Sequence, residues 1–460
     1  MPAQANVKVE LLALLARRDV AGMRKYCEPW LPADLAPIIA DLHVEQLALL
    51  FRATSRELAV ATFPYLDTEA QRKLLKTLSQ EQVAALLNAL PPDDRTAFLD
   101  ELPLDVAMQL LSLLSPEERA VATSLLAYPE NSVGRMMTLD YVAVKPDWTV
   151  AQVLEHIRHF GYDRETLNMV YVLDEHGRLI DDVRVRRFLL SPLERPVREL
   201  MDGNYTTLFP TDDRETALET FRKFDRVALP VCDEQKKIIG IVTVDDMLDV
   251  AEEEATEDIQ KLGGSEALDE PYTTIALSRM IRKRASWLVV LFLGEMMTAT
   301  AMGFFEEEIA KAVVLALFVP LVISSGGNAG SQAATLVIRA LALGEFKLRD
   351  WWSVMRRELV AGVALGLILG VIGFLRIAIW SAFSGIYGPH WPLVGATVGL
   401  ALVGIVLWGS LVGSMLPLAL KRLGFDPATS SAPFVATLVD VTGLIIYFSV
   451  ALLILRGTML

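Results

Sequence analysis

Hydrophobic and polar positions are unevenly distributed along the 460-residue chain. From Trp287 onward, five apolar stretches follow one another, each long enough to cross the roughly 30 Å hydrocarbon core of a bilayer as a helix. The second and fourth are long enough to tilt or to be broken internally. The pattern predicts five membrane spans, at about residues 285–305, 310–335, 358–383, 391–420 and 432–455.

The chain before residue 270 has the pattern of a protein exposed to water. Over about residues 5–130, apolar residues recur at helical spacing in short segments, such as the one that starts SPEERA at Ser115. A serine followed by proline and then acids is typical of a helix start. The unit recurs about every 10 to 16 residues, which predicts a small helical superhelix with a scaffold or sensor role rather than an enzyme.

An internal duplication follows, in which VLDEHGRLIDDVRVRRFL aligns with VCDEQKKIIGIVTVDDML. Each copy is predicted to fold as strand, helix, strand, turn, strand, helix, and the pair resembles a tandem CBS module. That resemblance implies adenine-nucleotide binding or a dimerising switch. In the second copy Thr243 and Asp246 match the CBS residues that contact phosphate and ribose. The first copy has Asp181 and Arg187 at the positions equivalent to Gly240 and Asp246, which weakens the case for a nucleotide site there; a purely structural or metal-sensing pair is the alternative.

An acidic connector leads into the apolar half. Between Asp245 and Glu270 there are eleven acids and one base, Lys261. The pattern is helical up to Gly263, and acids at i, i+4 spacing repel by roughly 0.2 to 0.5 kcal/mol a pair. A hard divalent cation would remove that penalty by bridging carboxylate oxygens. The alternative is a solvated acidic linker, the usual explanation of a charge run.

Two apolar stretches carry polar groups that lipid does not favour. Asp440 is the one ionisable residue of residues 432–455, and a charge at that depth costs about 2.5 to 3.5 kcal/mol on insertion scales. The second stretch contains SSGGNAGSQ from Ser324, which exposes backbone and amide oxygens. Oxygen ligands without a His or Cys cluster favour a hard cation. An ion path is predicted; a paired structural aspartate and simple small-residue packing are the alternatives.

Flanking charges predict the orientation. Lys and Arg precede the first stretch and fill the loops after the second and fourth, whereas the opposite loops, EEE from Glu306 and SGIYGPHW, contain none. The positive-inside rule then places the soluble half and the N-terminus in the cytoplasm and the C-terminus outside. No cleavable leader is expected, because charges interrupt the first apolar segment. Only Cys27 and Cys232 are present, so no disulfide framework is expected. No nucleic-acid partner is expected, because the net charge is −14 and nucleic-acid binding requires a basic surface.

Three segments resemble the MgtE magnesium channel family: PLVISSGGNAGSQAATLVIRALALGE, EEATEDIQKLG and LGFDPATSSAPFVATLVDVTG. The resemblance covers nearly the whole chain. It implies a homodimer in a bacterial-type plasma membrane, with the pore on the dimer axis between the second and fifth spans. It also implies a multidomain fold: an all-α superhelical N domain at 1–132, an α/β tandem CBS pair at 133–196 and 197–250, an acidic connecting helix at 245–270 and a five-helix α transmembrane domain at 280–460.

The same resemblance implies roles for single residues. In the ion path, Asp440 would be the selectivity carboxylate and Ala436 a carbonyl contributor, facing Gly326, Gly327, Asn328, Gly330 and Gln332. The regulatory Mg²⁺ ligands would be Asp93, Asp94, Asp213, Glu215, Asp225, Asp245, Asp246, Asp249, Glu254, Glu257, Asp258 and Asp426. Two residues depart from the family pattern: Ala432 replaces a polar residue, and Glu295 lies where a neutral one is expected. We interpret Glu295 as a hydrogen-bonded structural group; an extra pore acid is the alternative.

These features predict a Mg²⁺-selective channel for Mg²⁺ uptake that closes when several cytosolic Mg²⁺ ions bind each subunit, with ATP as a further ligand of the CBS pair. Two other classes remain open. One is a secondary transporter of divalent cations coupled to protons or sodium, with Asp440 as its coupling carboxylate. The other is a membrane-anchored metal or nucleotide sensor. An enzyme is not predicted, because the sequence shows neither a catalytic nucleophile with its general base nor a catalytic metal cluster.

Overall fold

Short helices open the chain. The computed structural model describes residues 2–40, 42–268, 272–273, 275–384 and 386–459, so Asp269 and Glu270 of the predicted connector lie outside it.

Ser115 accepts a hydrogen bond from the amide of Glu118 and starts a helix as predicted. The helices pack on a core of residues such as Leu50, Leu74 and Leu87. They are α1 Pro2–Arg17, α2 Val20–Cys27, α3 Pro32–Ala40, α4 Val44–Ala53, α5 Arg56–Thr62, α6 Thr68–Thr77, α7 Gln80–Leu87, α8 Pro92–Asp100, α9 Leu104–Leu113 and α10 Pro116–Leu126.

Two small sheets follow, one for each duplicated copy. In the first, β1 is parallel to β2 and β2 is antiparallel to β3; in the second, β4 is antiparallel to β5. The first strand expected in the second copy is reduced to a single bridge from Leu208 to Val231. The elements are α11 Val133–Met136, β1 Ala143–Val144, α12 Val150–Phe160, β2 Met169–Leu173, β3 Leu179–Arg184, α13 Val185–Leu189, α14 Arg214–Phe224, β4 Ala228–Cys232 and β5 Ile238–Thr243.

The acidic connector is a helix, α15, over Val244–Leu262. It ends where Gly264 takes a positive φ of 73°, a conformation that glycine adopts without strain. The amide of Ser265 then donates to the carbonyl of Gln260 at 3.1 Å, which closes the last turn. The chain divides within this helix into two compact units, Met1–Glu252 and Glu253–Leu460.

The second unit contains five helices long and apolar enough to cross a membrane, counted over the described residues. The second of them is broken: α18 and α19 are separate helices, with Leu317 and Phe318 between them. The fourth, α21, runs through Pro417 without a break. The elements are α16 Leu277–Phe304, α17 Glu306–Lys311, α18 Val313–Ala316, α19 Val319–Ala342, α20 Trp351–Ser384, α21 Trp391–Arg422 and α22 Ala432–Leu455.

Small residues let these helices approach closely. A Cβ added at Gly366 would lie 2.8 Å from the Cα of Val403, so α20 and α21 touch through their backbones. Helix α19 packs on both α21 and α22, whereas α16 packs on α22 and buries none of its residues within the single chain. One side of the helix bundle is therefore left uncovered along α16.

Candidate ion path and acidic clusters

Asp440 lies in the middle of an unbroken helix. Ser431 caps α22 by accepting from the amide of Phe434, and Pro433 sits in the first turn, where no amide hydrogen is needed. The helix is continuous through Asp440 to Leu455. The side chain of Asp440 is half-buried, and no ion pair or hydrogen bond involves it within the part of the chain described.

Gly327 of α19 lies beside this carboxylate. A Cβ added at Gly327 would be 3.5 Å from Oδ1 of Asp440 and 3.4 Å from the Cβ of Ala436. One turn further along, Ser331 donates to the carbonyl of Ala432 at 3.1 Å and ties α19 to α22. The structure thus brings together Asp440, Ala436 and Gly327, as predicted, with backbone rather than a side chain next to the acid.

The other two glycines of this segment have a different role from the one predicted. A Cβ at Gly326 would be 2.9 Å from Val439, and one at Gly330 would be 3.0 Å from the carbonyl oxygen of Gly409. Both lie in the contact of α19 with its neighbouring spans, away from the Asp440 carboxylate. In the single chain Gly326 and Gly330 thus lie in helix packing, because the register of α19 directs only Gly327 toward the acid.

Asn328 and Gln332 form a third face of α19. Together with Ser324 they occur at i, i+4 spacing, and all three are exposed in the single chain. The Asn328 side-chain amide donates to Ser324 at 3.4 Å. A polar stripe on a membrane helix requires water or another polar surface against it. On α19 this stripe lies next to the face that carries Gly327.

A separate acidic cluster forms in the first unit. It combines the start of α8, the loop before β2 and the first half of α15. Electrostatic interactions link these groups directly, for example Asp93 with Asp246 and Asp94 with Asp249. The members of the acidic cluster are Asp93, Asp94, Glu165, Asp245, Asp246 and Asp249.

Burial is the main influence on these carboxyls. Burial and the charges of Glu165 and Asp94 raise the pKa of Asp93 to about 7. Burial and the charge of Asp93 raise the pKa of Asp246 to about 7. Burial, with Asp246 as the largest neighbouring charge, raises the pKa of Glu165 to about 7. The charged groups with the largest influence on these three carboxyls are all acidic.

The cluster has the chemistry of a hard-cation site. Asp93 is 9% exposed, and its Oδ1 has no hydrogen-bond partner, so one buried carboxylate oxygen is left for a ligand. Oxygen donors without nitrogen or sulfur suit Mg²⁺. Among the described residues no three acids are arranged as a ligand set. Glu165 was not predicted, since only the fold brings this loop residue to Asp93.

We expect proton binding to stabilise this cluster when divalent cations are absent. The folded pKa values exceed those of free carboxyls, so ionising these groups lowers the free energy of unfolding. This destabilisation is absent below about pH 4 and complete above about pH 7. A tenfold change in proton affinity corresponds to about 1.4 kcal/mol, so the effect should reach a few kcal/mol. Hydrogen-exchange protection of α8, corrected for intrinsic rates, should rise as the pH falls from about 8 to about 5. Asp93→Asn should remove most of this rise, and a flat wild-type profile would contradict the expectation.

The other acids predicted in the second CBS copy lie apart from one another. Asp213 caps α14 by accepting from the amide of Glu215 at 2.8 Å. Asp225 ends the same helix with a φ of 50°. The twelve residue steps from Asp213 to Asp225 place these two ends about 18 Å apart along the helix axis. Within one chain, Asp213 and Glu215 therefore do not share a cation with Asp225.

A second set of charges lies at the end of α15, in the second unit. The ammonium of Lys261 contacts Oδ2 of Asp426 at 2.6 Å and also pairs with Glu257. Burial lowers the pKa of Lys261, but its hydrogen bonds with Asp426 and Glu257 prevail and hold that pKa above its usual range. Burial and the charge of Asp426 raise the pKa of Asp258. The predicted set of Glu257, Asp258 and Asp426 is thus brought together, around a lysine that the prediction left out.

A polar cavity of about 560 Å³ occurs in the CBS pair, in the size range of ligand sites. It lies at the first copy, against the prediction: Arg184 and Arg187 occupy the motif positions of Thr243 and Asp246. Arg184 and Arg186 are exposed, with no ion pair in the described structure. Arg226 pairs at 3.1 Å with Asp182, whose pKa burial raises to about 6 despite Arg226. The lining is Asp182, Arg184, Arg186, Arg187, Asp202, Asn204, Tyr205, Thr206, Phe224 and Arg226.

The predicted nucleotide residues of the second copy are engaged with each other. The hydroxyl of Thr243 donates to Oδ2 of Asp246 at 2.8 Å, and Asp246 belongs to the acidic cluster. A phosphate there would meet carboxylates rather than donors. Thr243 and Asp246 therefore fit a metal-binding region better than a nucleotide site.

Glu295 also differs from the prediction. Its side chain is exposed on α16, and the structure gives it no hydrogen bond among the described residues. The described residues of the single chain therefore give no support to the interpretation as a hydrogen-bonded structural group. Instead its negative charge acts on the carboxyl group of Asp440.

Comparison with known families agrees with this arrangement. A family model described as a divalent cation transporter, MgtE, matches residues 319–450, and one for the MgtE intracellular N domain matches residues 30–131. CBS domain models match residues 133–190 and 197–253. The order of these matches along the chain is the order of the domains described above.

Relatives named as magnesium transporters match most of the chain. The magnesium transporter MgtE of Thermus thermophilus is 42% identical over 349 residues, 76% of each chain. That of Bacillus subtilis is 30% identical over 341 residues, 74% of this chain and 73% of its own. Both are transporters rather than enzymes.

Two solved structures resemble the first part of the chain. The cytosolic domain of the Mg²⁺ channel MgtE in complex with ATP is 32% identical, with a TM-score of 0.50 over 53% of this chain and 99% of that one. The soluble part of a magnesium transporter shares the fold, at 24% identity and a TM-score of 0.52 over 55% of this chain and 99% of that one. The family models and the relatives above establish that this chain belongs to the MgtE family of magnesium transporters.

Proposed function

We propose that the protein is a Mg²⁺-selective channel that mediates Mg²⁺ uptake and closes when cytosolic Mg²⁺ binds its acidic clusters. The observation that carries the proposal is the environment of Asp440. An unpaired carboxylate in the middle of a membrane helix, with the backbone of Gly327 beside it, leaves room for an ion with its water. Mg²⁺ dehydrates reluctantly and usually keeps several waters, so a carboxylate with few other ligands suits it.

The channel is proposed to be a homodimer with the ion path on its axis. Helix α16 buries no residue within one chain, and the stripe of Ser324, Asn328 and Gln332 is uncovered. A second copy would cover polar groups that lipid does not satisfy. Two Asp440 carboxylates would then face one ion, together with the Ala436 carbonyls.

The soluble part is proposed to lie in the cytoplasm of a bacterial-type plasma membrane. The segment before α16 and the loops after α19 and α21 carry Lys and Arg. The loop that contains α17 carries three acids and a single base, Lys311, which the sequence interpretation had assigned to the second span. Lys and Arg remain more frequent in the segment before α16 and in the loops after α19 and α21, so the positive-inside rule still puts those regions in the cytoplasm.

Gating is proposed to act through α15. Its first half supplies Asp245, Asp246 and Asp249 to the acidic cluster, and its second half supplies Glu257 and Asp258 to the charges around Asp426. Mg²⁺ that bridges acids at either end stabilises the closed arrangement by mass action. Lys261 already links Glu257 to Asp426, which lowers the number of cations that closure requires.

An adenine nucleotide is proposed as the ligand of the CBS cavity. Arg184 and Arg186 offer unpaired guanidinium groups to phosphates, and Tyr205 and Phe224 offer aromatic faces to a base. Replacing Arg184 and Arg186 by Gln should weaken ATP binding to the full-length protein by tenfold or more at unchanged thermal stability, because neither is buried. Arg158→Gln, an exposed arginine on α12 outside the cavity, is the matched control. Equal ATP affinity in the double variant and the control would remove the cavity as the site.

Mg²⁺ flux into proteoliposomes tests the transport proposal directly. A channel should pass Mg²⁺ down its gradient without an imposed proton or sodium gradient, and flux should fall as Mg²⁺ rises on the side of the soluble domains. Uptake that depends on a proton or sodium gradient would instead identify a coupled transporter. The absence of flux from folded, inserted protein would favour a sensor without transport.

A further inference from the structure

Helix α16 places a second carboxylate next to the proposed ion path. The indole NH of Trp287 donates to Ser431 at 3.2 Å, and a Cβ at Gly294 would lie 2.9 Å from Cγ2 of Thr437. These two contacts advance in the same direction along both helices, so α16 and α22 run parallel. Glu295 is one residue beyond Gly294 and Asp440 is three beyond Thr437. At 1.5 Å per residue, the two acids differ by about 3 Å along the helix axes.

The packing of α16 on α22 does not account for a carboxylate at position 295. The contact with α22 is made by Trp287 and Gly294, and the Glu295 side chain remains exposed without a hydrogen bond among the described residues. Its charge repels that of Asp440. Charged groups at membrane depth normally face a partner, a cavity or an ion path. A cation attracted by both acids supplies the missing counter-charge.

We propose that Glu295 is a second ion-path carboxylate that, with Asp440, sets the preference for divalent over monovalent cations. The inference rests on the proposed role of Asp440. The Coulomb attraction of Mg²⁺ to each fixed charge is twice that of Na⁺, so the second carboxylate adds more to Mg²⁺ affinity than to Na⁺ affinity. In its exposed position on α16, Glu295 contacts the water shell of the ion, whereas Asp440 lies closer to the ion between the spans.

Glu295→Gln in the full-length protein tests this assignment. The amide keeps the size of the side chain and removes the charge, so Mg²⁺ flux at low Mg²⁺ should fall on the order of tenfold, and the ratio of Mg²⁺ to Na⁺ permeability should fall with it. Thermal stability should be equal or higher, because an unpaired charge has been removed. Glu295→Asp should retain most of the selectivity. Glu358→Gln, in the third span, which packs on α21, is the matched control with wild-type flux.

Two results would overturn the inference. Wild-type flux and selectivity in Glu295→Gln, alongside an inactive Asp440→Asn protein, would remove Glu295 and leave the proposed function intact. A loss of flux accompanied by an equal loss of stability in both Glu295→Gln and Glu295→Leu would make Glu295 structural. An active Asp440→Asn protein would instead refute the proposed function itself, so the two failures are distinguishable.

Discussion

Asp440→Asn is expected to reduce Mg²⁺ transport to background while the protein still inserts and dimerises. Asparagine has the same shape as aspartate, so the contact with Gly327 is preserved and the ion loses only its charged ligand. Asp440→Ala should have the same effect on flux. Asp440→Glu should impair flux or alter selectivity, because a carboxylate advanced by one methylene group crowds the hydrated ion. Proteoliposome Mg²⁺ flux at matched protein incorporation measures all three.

The matched control is Asp350→Asn. Asp350 lies just before α20, where it accepts a hydrogen bond from the amide of Lys347, so the same chemical change is made away from the ion path. That variant should transport Mg²⁺ at the wild-type rate. Wild-type flux from folded Asp440→Asn would remove Asp440 from the ion path.

A combined change of Glu254, Glu257 and Asp258 to Ala is expected to keep the channel open at Mg²⁺ concentrations that close the wild type. Conversion from nearly all open to nearly all closed requires roughly 5.5 kcal/mol of differential binding. Several weak sites supply that jointly, whereas one does not. Asp249→Ala alone should therefore shift the Mg²⁺ midpoint only modestly. Protection of residues 245–268 from protease should rise with Mg²⁺ in the wild type and not in the triple variant.

A second triple variant controls for the loss of three negative charges from α15. It changes Glu306, Glu307 and Glu308 to Ala. They form the first turn of α17, and changing them to Ala removes the same three charges from the opposite loop. Gating in that variant should match the wild type. Mg²⁺-independent protease protection of the wild-type connector would show that α15 is an ordinary solvated linker and that the sensor lies elsewhere.

Features with a local cause could be predicted from the sequence. Apolar length predicts the five helices confirmed here, and the duplicated strand pattern predicts the CBS pair, which the family matches confirm. The helix end after Leu262 follows from Gly263 and Gly264, because a positive φ stops a helix there. These features need no knowledge of what packs against them.

Features that depend on packing could not be predicted. The glycines at 326, 327 and 330 are alike in sequence, and only the register of α19 shows that Gly327 lies beside Asp440. Glu165 joins Asp93 because the fold brings its loop to α8. Arg187 of the first CBS copy was interpreted as a departure from the nucleotide pattern, yet it lines a cavity. Such roles follow from neighbours distant in sequence.

Electrical recording from membrane patches that contain only this protein tests the central claim most directly. With the soluble domains facing the bath, wild-type channels should carry a Mg²⁺ current that closes reversibly when bath Mg²⁺ is raised, and channels with the Glu254, Glu257 and Asp258 change should stay open. No current in Asp440→Asn patches completes the predicted result. A wild-type Mg²⁺ current that is indifferent to Mg²⁺ on the side of the soluble domains would contradict the account.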